Sequence, residues 1–308
     1  MPHGYAALVD RIQELKKSQG AVILAHNYAL GEVQDIADFV GGSLELVRKS
    51  AELESGVIVM CAVHCIAETA AILCPDKTIL LPDSASLCPM ANMITADELK
   101  IEKDRHPGAK VVCYLNSPAE AKAESDICCT ADNAVRIVAA LPESESIMFV
   151  PDQYLGDWVS NQTGRDMTLW PGYCPTHSKI MPENITRLKS KYPEAKVLVH
   201  PECSPPVIRL ADAVLNTGEM VRYSASTDAR EFIIGTDVGI LHRLRKDNPD
   251  KVFMPASELA RCGKMKLTTV EAILWALEDA DRQVKVPSET AARAKKAIDR
   301  MFDAISPD

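Results

Sequence analysis

The run TILLPD at 78–83 is short, apolar and rich in strand-forming residues, and Cys88 follows it. Two later parts of the chain repeat this layout. The three pairs are TILLPD (78–83) with Cys88, DMTLWPG (166–172) with Cys174, and KVFMP (251–255) with Cys262. The cysteines lie 86 and 88 residues apart, and self-similarity at a fixed interval indicates a repeated structural unit. Three thiols at the exit of the same strand predict soft ligands for a metal ion or an iron–sulfur cluster with one open position.

Other apolar runs recur at the same interval and extend the repeat. They are AVILAHN (21–27), KVVCYLN (110–116) and KVLVHPE (196–202), then VIVMCAV (57–63), IMFVPDQ (147–153) and FIIGTDV (232–238). Short β-branched runs that alternate with helical patterns are typical of βαβ units with buried parallel strands. The sequence therefore predicts an α/β fold of three similar αβα units with parallel sheets around a pseudo-threefold axis.

The repeat also predicts the domain boundaries. We expect repeats over 18–85, 86–172 and 173–257, with helical segments at 1–17 and 258–308 that pack on them. The last segment carries the third cysteine. The predicted helices are 31–53, 66–73, 95–105, 117–125, 131–141, 182–192, 205–215, 239–247, 268–281 and 288–305.

Composition and charge exclude several classes of function. The chain has 308 residues, of which 47% are hydrophobic, and a net charge of −9. A nucleic-acid partner is not expected, because binding phosphate chains requires a basic surface. No membrane-spanning run or targeting segment is visible, so no membrane contact is expected either. Ten cysteines without a secretion signal favour a reducing, cytoplasmic location over a disulfide framework.

Polar side chains collect where the predicted strands end. The residues are His26, Tyr28, Tyr114, Asn116, His200 and Glu202. Open α/β sheets place their functional groups at the carboxyl ends of parallel strands. These positions therefore predict a site at the same edge as the cysteines, and we expect Tyr28 and Glu202 to face one cavity there.

Seven segments in order resemble the quinolinate synthase family. They are AHNYALGEVQDIAD (25–38), AETAAIL (67–73), the LLPD stretch ending at Cys88, KVVCYLNSPAEAKAESDICCT (110–130), HPEC (200–203), GTDVGILHRL (235–244) and CGKMKLTT (262–269). The resemblance covers nearly the whole chain. It implies a cytoplasmic transferase of NAD biosynthesis that joins iminoaspartate to dihydroxyacetone phosphate, giving quinolinate, phosphate and water. It also implies a transient contact with the enzyme that produces iminoaspartate.

The resemblance further implies a role for each site residue. Cys88, Cys174 and Cys262 would hold a [4Fe–4S] cluster, with one iron open to act as a Lewis acid. Tyr28, His200 and Glu202 would supply acid–base groups. The residues that would bind substrate are His26, Ser43, Tyr114, Asn116, Thr130, His177, His200, Glu202 and Thr217. Hydroxyl, amide and imidazole groups suit that task because they donate hydrogen bonds to anions.

Several positions depart from the family pattern. Gly42 stands where an acidic residue is common, Ala131 where a serine is usual, and Asp237 where a glutamate is usual. The absence of that serine removes one expected contact to an anion. The run CGKMKL carries one cysteine only, so a local redox switch built from extra cysteines is not expected.

Two other functions compete with this interpretation. A different iron–sulfur hydro-lyase would use the same open iron, and a non-catalytic protein would hold zinc or a cluster structurally. A structural site would be closed by a fourth ligand and would not need Tyr28, Asn116 and Glu202 nearby. The other seven cysteines are interpreted as packing residues, with Cys128 and Cys129 at the start of a helix.

Overall fold

The strands of the structure are short and group in fours. This computed structural model describes residues 2–304. In that range the strands are β1 (Ala21–His26), β2 (Phe39–Gly41), β3 (Val57–Cys61), β4 (Thr78–Leu80), β5 (Lys110–Tyr114), β6 (Ile127–Cys129), β7 (Ile147–Val150), β8 (Met167–Leu169), β9 (Lys196–Val199), β10 (Ala213–Val214), β11 (Glu231–Gly235) and β12 (Val252–Pro255). They form three sheets in the orders β2-β1-β3-β4, β6-β5-β7-β8 and β10-β9-β11-β12.

Every pairing within these sheets is parallel. In each sheet the first strand along the chain lies between the second and the third, and the fourth lies at the edge. The predicted α/β fold with three similar units is therefore confirmed. Their arrangement around a threefold axis stays a prediction.

Helices connect the strands, because parallel neighbours cannot be joined by a tight turn. They are α1 (Pro2–Gln19), α2 (Gly31–Ile36), α3 (Ser43–Glu52), α4 (His64–Leu73), α5 (Ala96–Arg105), α6 (Ala119–Ala123), α7 (Ala134–Ala140), α8 (Gln153–Thr163), α9 (Pro182–Lys191), α10 (Pro205–Ile208), α11 (Thr217–Ser226), α12 (Ile240–Asp247), α13 (Val270–Glu278) and α14 (Ser288–Asp303). Short 3₁₀ turns lie at Ala91–Met93, His177–Lys179 and Ala280–Arg282. No helix in the described range combines the length and apolarity needed to cross a bilayer.

The second strand of each sheet corrects the sequence prediction. The predicted helix 31–53 is interrupted by β2, and the predicted helix 205–215 ends at Ile208 before β10. Cys128 and Cys129 form part of β6 instead of starting a helix, although both are buried as expected. Strands of two or three residues are too short to show a period-two pattern, so tertiary hydrogen bonds decide their conformation.

An aspartate supplies those hydrogen bonds just before each second strand. Its Oδ2 atom accepts from a backbone N–H of the first strand, and its own N–H donates to the carbonyl of that same residue. The pairs are Asp38 with Ile23, Asp126 with Val111, and Asp212 with Val197, at Oδ2–N distances of 2.7, 2.9 and 2.8 Å. Because each aspartate brackets one residue of the first strand, these pairs fix which positions of the three repeats are equivalent.

A basic side chain before each fourth strand provides a second repeated contact. It donates to carbonyl groups at or just beyond the end of an earlier helix, where no intrahelical donor remains. The contacts are Lys77 to Ser50 and Leu53, Arg165 to Leu141, Pro142 and Glu145, and Lys251 to Ser224 and Thr227, all at 2.5–3.0 Å. The edge strand of every sheet is thereby anchored to a helix of its own repeat.

The chain forms two compact units. One runs to Cys88 and resumes from Cys262 to Pro287; the other runs from Pro89 to Arg261 and resumes at Ser288. In the first unit α1 packs against α13, and in the second α14 packs against α6 and β6. The strands of each sheet fall within one of the predicted ranges 18–85, 86–172 and 173–257. The division into three domains stays a proposal.

Candidate active site

The residues at and just beyond the end of the first strand of each sheet are equivalent in the three repeats. The aspartate brackets align His26 with Tyr114 and His200, and they align Tyr28 with Asn116 and Glu202. Asn116 is half-buried and the other five are buried. Large polar side chains are rarely buried without partners, so their contacts indicate how each is used.

In the first unit a hydrogen bond between neighbours fixes a histidine. The Tyr28 N–H donates to His26 Nδ1 at 3.1 Å, and the two rings meet edge to face at 4.7 Å. A ring nitrogen that accepts a hydrogen bond carries no proton, so the neutral His26 ring is protonated at Nε2. The Tyr28 carbonyl accepts from Lys266 Nζ. The backbone N–H and the carbonyl of Tyr28 are therefore both hydrogen-bonded.

The same contact recurs at the equivalent histidine of the second unit. The Glu202 N–H donates to His200 Nδ1 at 3.3 Å. The neutral His200 ring therefore also presents its proton at Nε2. In both repeats, the backbone N–H two residues after the histidine thus selects the same tautomer of His26 and of His200.

Glu202 is the centre of a buried hydrogen-bond network in the second unit. Tyr114 Oη donates to Glu202 Oε1 at 2.7 Å, and His177 Nδ1 lies 2.8 Å from Glu202 Oε2. The His177 ring also stacks on His200 at 4.7 Å with an interplanar angle of 22°. Four of the residues predicted from the sequence are thus brought together from three separate segments.

The network controls the charge of Glu202. Burial by itself raises the pKa of Glu202, but the positive charge that His177 and His200 gain on protonation and the hydrogen bonds from His177 and Tyr114 outweigh it. The net effect is a pKa below the ordinary glutamate value. Glu202 is therefore a carboxylate at neutral pH, able to accept a proton or a cation.

Asp152 is a buried carboxyl group near Glu202 that the sequence did not single out. Its Oδ1 atom accepts from the N–H groups of Tyr154 and Leu155, at 2.8 and 2.9 Å, and so caps α8. Burial raises the pKa of Asp152 well above the usual range, and the charge of Glu202 raises it further. Its signal in the sequence is an acid directly after the apolar run IMFVP, which favours an N-cap and does not indicate a site.

Hydroxyl groups lie at the start of the helix that follows the second strand. Ser43 and Thr217 are the first residues of α3 and α11, at equivalent positions. The residue just before this position donates its backbone N–H to a side chain three residues further along the chain. The pairs are Gly42 with Glu45, Thr130 with Asn133, and Asn216 with Glu219. Ala131 is the equivalent of Ser43 and Thr217, so the second repeat has no hydroxyl there. Thr130 is buried beside it.

Each of the three repeated cysteines follows a loop that is held in the same way. The carbonyl two residues before the cysteine accepts from a backbone N–H at the start of the helix after the third strand. The pairs are Ser86 with His64, Gly172 with Gln153, and Ala260 with Val238, at 2.8, 2.8 and 2.9 Å. All ten cysteines lie in the described range. Cys88, Cys174 and Cys262 are partly exposed, whereas the other seven are buried.

The exposed thiols suit a soft metal centre. In the second unit, ligand atoms of Cys174, His177 and Glu202 all lie within 4.8 Å of one another, and no other such group of three is found among residues 2–304. Within the second unit, a thiolate and an imidazole are donors that suit a soft metal ion.

Comparison with known proteins shows the family of this chain. A model of the family described as Quinolinate synthetase A protein matches residues 10–303. A quinolinate synthase of Dehalococcoides mccartyi is 55% identical over 302 residues, covering 98% of this chain and 100% of the relative. Those of Thermodesulfovibrio yellowstonii and Methanosarcina barkeri are 52% and 49% identical, each over 96% or more of both chains. The chain belongs to the quinolinate synthetase A protein family.

Proposed function

We propose that this protein is a quinolinate synthase, a transferase that makes quinolinate and phosphate from iminoaspartate and dihydroxyacetone phosphate. The observation that carries the proposal is the similarity to proteins named quinolinate synthase over almost the whole of both chains. The buried network around Glu202 supports it, because condensation followed by loss of water requires groups that accept and return protons.

Cys88, Cys174 and Cys262 are the proposed ligands of a [4Fe–4S] cluster. The support is their equal place in the repeat, their partial exposure and the shared contact that holds each loop. Held by these three residues, such a cluster would supply Lewis-acid chemistry that eases the loss of water from a substrate.

Glu202 and Tyr28 are the proposed acid–base pair. Glu202 remains charged at neutral pH because Tyr114 donates to Oε1 and His177 Nδ1 lies 2.8 Å from Oε2, so it is present in the unprotonated form that a base requires. Tyr28 carries the proton donor at the equivalent position of the first repeat. His200 would present its Nε2 proton to a developing anion, because Nδ1 is occupied by the Glu202 N–H.

Substrate anions are proposed to bind where helices begin. The backbone N–H groups at a helix start favour negative charge, and Ser43 and Thr217 add hydroxyl donors at that place in α3 and α11. His26, Tyr114, Asn116 and Thr130 supply further donors around the strand ends. These local groups can bind carboxylate and phosphate although the net charge of the chain is −9.

The cellular setting follows from the same proposal. Both substrates are small molecules, and iminoaspartate would come from a transient contact with the enzyme that produces it. Ten free cysteines are compatible with a reducing, cytoplasmic environment.

The test is purification without oxygen, followed by an absorption spectrum, an iron assay and a measurement of quinolinate. We expect a brown protein with about four irons per chain that forms quinolinate from the two substrates. A colourless zinc protein without this activity would contradict the proposal. A brown protein that only hydrates or dehydrates other acids would favour the hydro-lyase alternative.

A further inference from the structure

His177 is held through both of its ring nitrogens. Nδ1 lies 2.8 Å from Glu202 Oε2, and Nε2 lies 2.8 Å from the Thr236 hydroxyl oxygen. All three side chains are almost completely buried. Water therefore cannot replace either contact without a change in the packing around the ring.

These two contacts determine where the proton of His177 resides. Glu202 is a carboxylate and has no proton to give, so His177 Nδ1 must be the donor at that contact. In the neutral ring Nε2 is then an acceptor, and the Thr236 hydroxyl is placed to donate to it. The contact to Thr236 selects the tautomer that binds Glu202.

The backbone around Thr236 fixes the direction of its hydroxyl. Thr236 directly follows β11, and Asp237 Oδ1 accepts from the Gly239 N–H at 2.7 Å to form the turn into α12. A β-branched side chain also has few χ1 rotamers. Thr236 is therefore held at the strand end, beside the segment that carries Glu202, because Gly235 pairs with Val199 and its carbonyl accepts from the His200 N–H.

We propose that Thr236 is a positioning residue that fixes the rotation and tautomer of His177, so that Glu202 stays aligned as a base. This inference rests on the proposed function, in which Glu202 is the acid–base group. Thr236 acts through His177 and need not touch substrate. Nothing in the pattern GTDVG, taken alone, distinguishes this hydroxyl from an ordinary turn residue.

The test compares variants of Thr236 in the cluster-loaded enzyme. Thr236→Val keeps the shape and removes the hydroxyl, and we expect kcat to fall by about 10–100-fold, as for lost outer-shell partners. Thr236→Ser restores the donor and should lie within about threefold of the unchanged protein, since one hydrogen bond is retained. Iron content and melting temperature should match in all three. Thr186→Val, at an exposed helix position, is the control.

A double-mutant cycle separates positioning from a general effect on folding. If Thr236 acts through His177, then the double variant His177→Ala with Thr236→Val should turn over no more slowly than His177→Ala alone. Additive losses would overturn the proposal, as would wild-type turnover in Thr236→Val. If the valine variant does not fold, Thr236→Ala takes its place in the same cycle.

A further variant distinguishes failure of this inference from failure of the proposed function. Should Glu202→Gln keep full turnover, the assigned role of Glu202 is wrong and the positioning role falls with it. Should Glu202→Gln lose activity while Thr236→Val keeps it, the proposed function stands and only the role of Thr236 is refuted.

Discussion

Two buried carboxyl groups in the second unit have opposite pKa shifts. Glu202 faces Tyr114 and His177, whose donors lower its pKa, whereas burial and the charge of Glu202 raise the pKa of Asp152. Like charges at short range cannot both be retained in a low-dielectric interior. We therefore expect the first proton that the pair takes up on acidification to bind Asp152, while Glu202 keeps its charge.

The first prediction concerns turnover. Glu202→Gln and Tyr28→Phe each remove a proton acceptor or donor and leave the shape nearly unchanged. We expect kcat to fall by about 10²-fold or more in each, the usual effect of losing a general acid or base. Iron content should not change. Normal turnover across the pH range in either variant would remove that residue from the mechanism.

The second prediction concerns Asp152 and the pH dependence of stability. Its folded-state pKa lies above the unfolded value, so the folded protein retains a proton that the unfolded chain releases. Stability therefore falls as pH rises from the ordinary aspartate pKa towards the raised one. Asp152→Asn has no such charge and can still cap α8 through its Oδ1 atom. Between about pH 5 and pH 8 its melting temperature should decline less than that of the unchanged protein.

Asp104→Asn, at an exposed position of α5, is the control for that experiment. Its melting curve should follow that of the unchanged protein at each pH. Parallel pH profiles for Asp152→Asn and the unchanged protein would show that Asp152 does not bind the extra proton.

At the scale of elements, the loop before each cysteine carries a small residue at the same place. Ser86, Gly172 and Ala260 occupy this place, and each offers its carbonyl to a helix start. At Gly172 a Cβ atom would overlap the carbonyl oxygen of Pro151. The close approach of these two backbone segments is therefore available to glycine alone in the second repeat.

The third prediction follows from that contact. Gly172→Ala should displace the loop that leads to Cys174, lowering both the iron content and the melting temperature. Gly263→Ala is a matched control, because Gly263 also neighbours a proposed ligand cysteine but has open space where its Cβ would lie. Equal iron content in both variants would show that the loop tolerates the added methyl group.

The strands fall into two groups by how well the sequence predicts them. The first, third and fourth strands of each sheet are apolar runs, and their positions were predicted correctly. The strands β2, β6 and β10 were missed, because their conformation depends on Asp38, Asp126 and Asp212 reaching back 15 residues. The strand propensity of the residues in β2, β6 and β10 does not indicate such a contact.

The candidate site shows the same division. Tyr114, His200 and Glu202 were predictable because polar residues at the ends of apolar strands stand out. Thr236 and Asp152 were not, because a hydroxyl or an acid after a strand is common in turns. Their importance depends on which side chain lies opposite, and only the folded chain provides that information.

At the scale of the whole molecule, the repeat distinguishes three of the ten cysteines from the other seven. The fourth prediction is that replacing Cys88, Cys174 or Cys262 with serine removes most of the iron and the activity. Cys74→Ser, at a buried position, is the control and should keep the iron. A single ligand variant that retains about four irons per chain would refute the assignment.

The brackets formed by Asp38, Asp126 and Asp212 join each aspartate to the backbone of the first strand, and the same pair of contacts recurs in each repeat. Because these contacts hold the backbone of each first strand in place, the side chains at its end are not needed for that purpose and can differ between the repeats. His26, Tyr114 and His200 occupy equivalent positions in the three repeats. Tyr28, Asn116 and Glu202 occupy a second set of equivalent positions. The same backbone contacts are therefore repeated in all three repeats, whereas the side chains at the strand ends, which are the proposed acid–base and substrate-binding groups, differ from one repeat to the next.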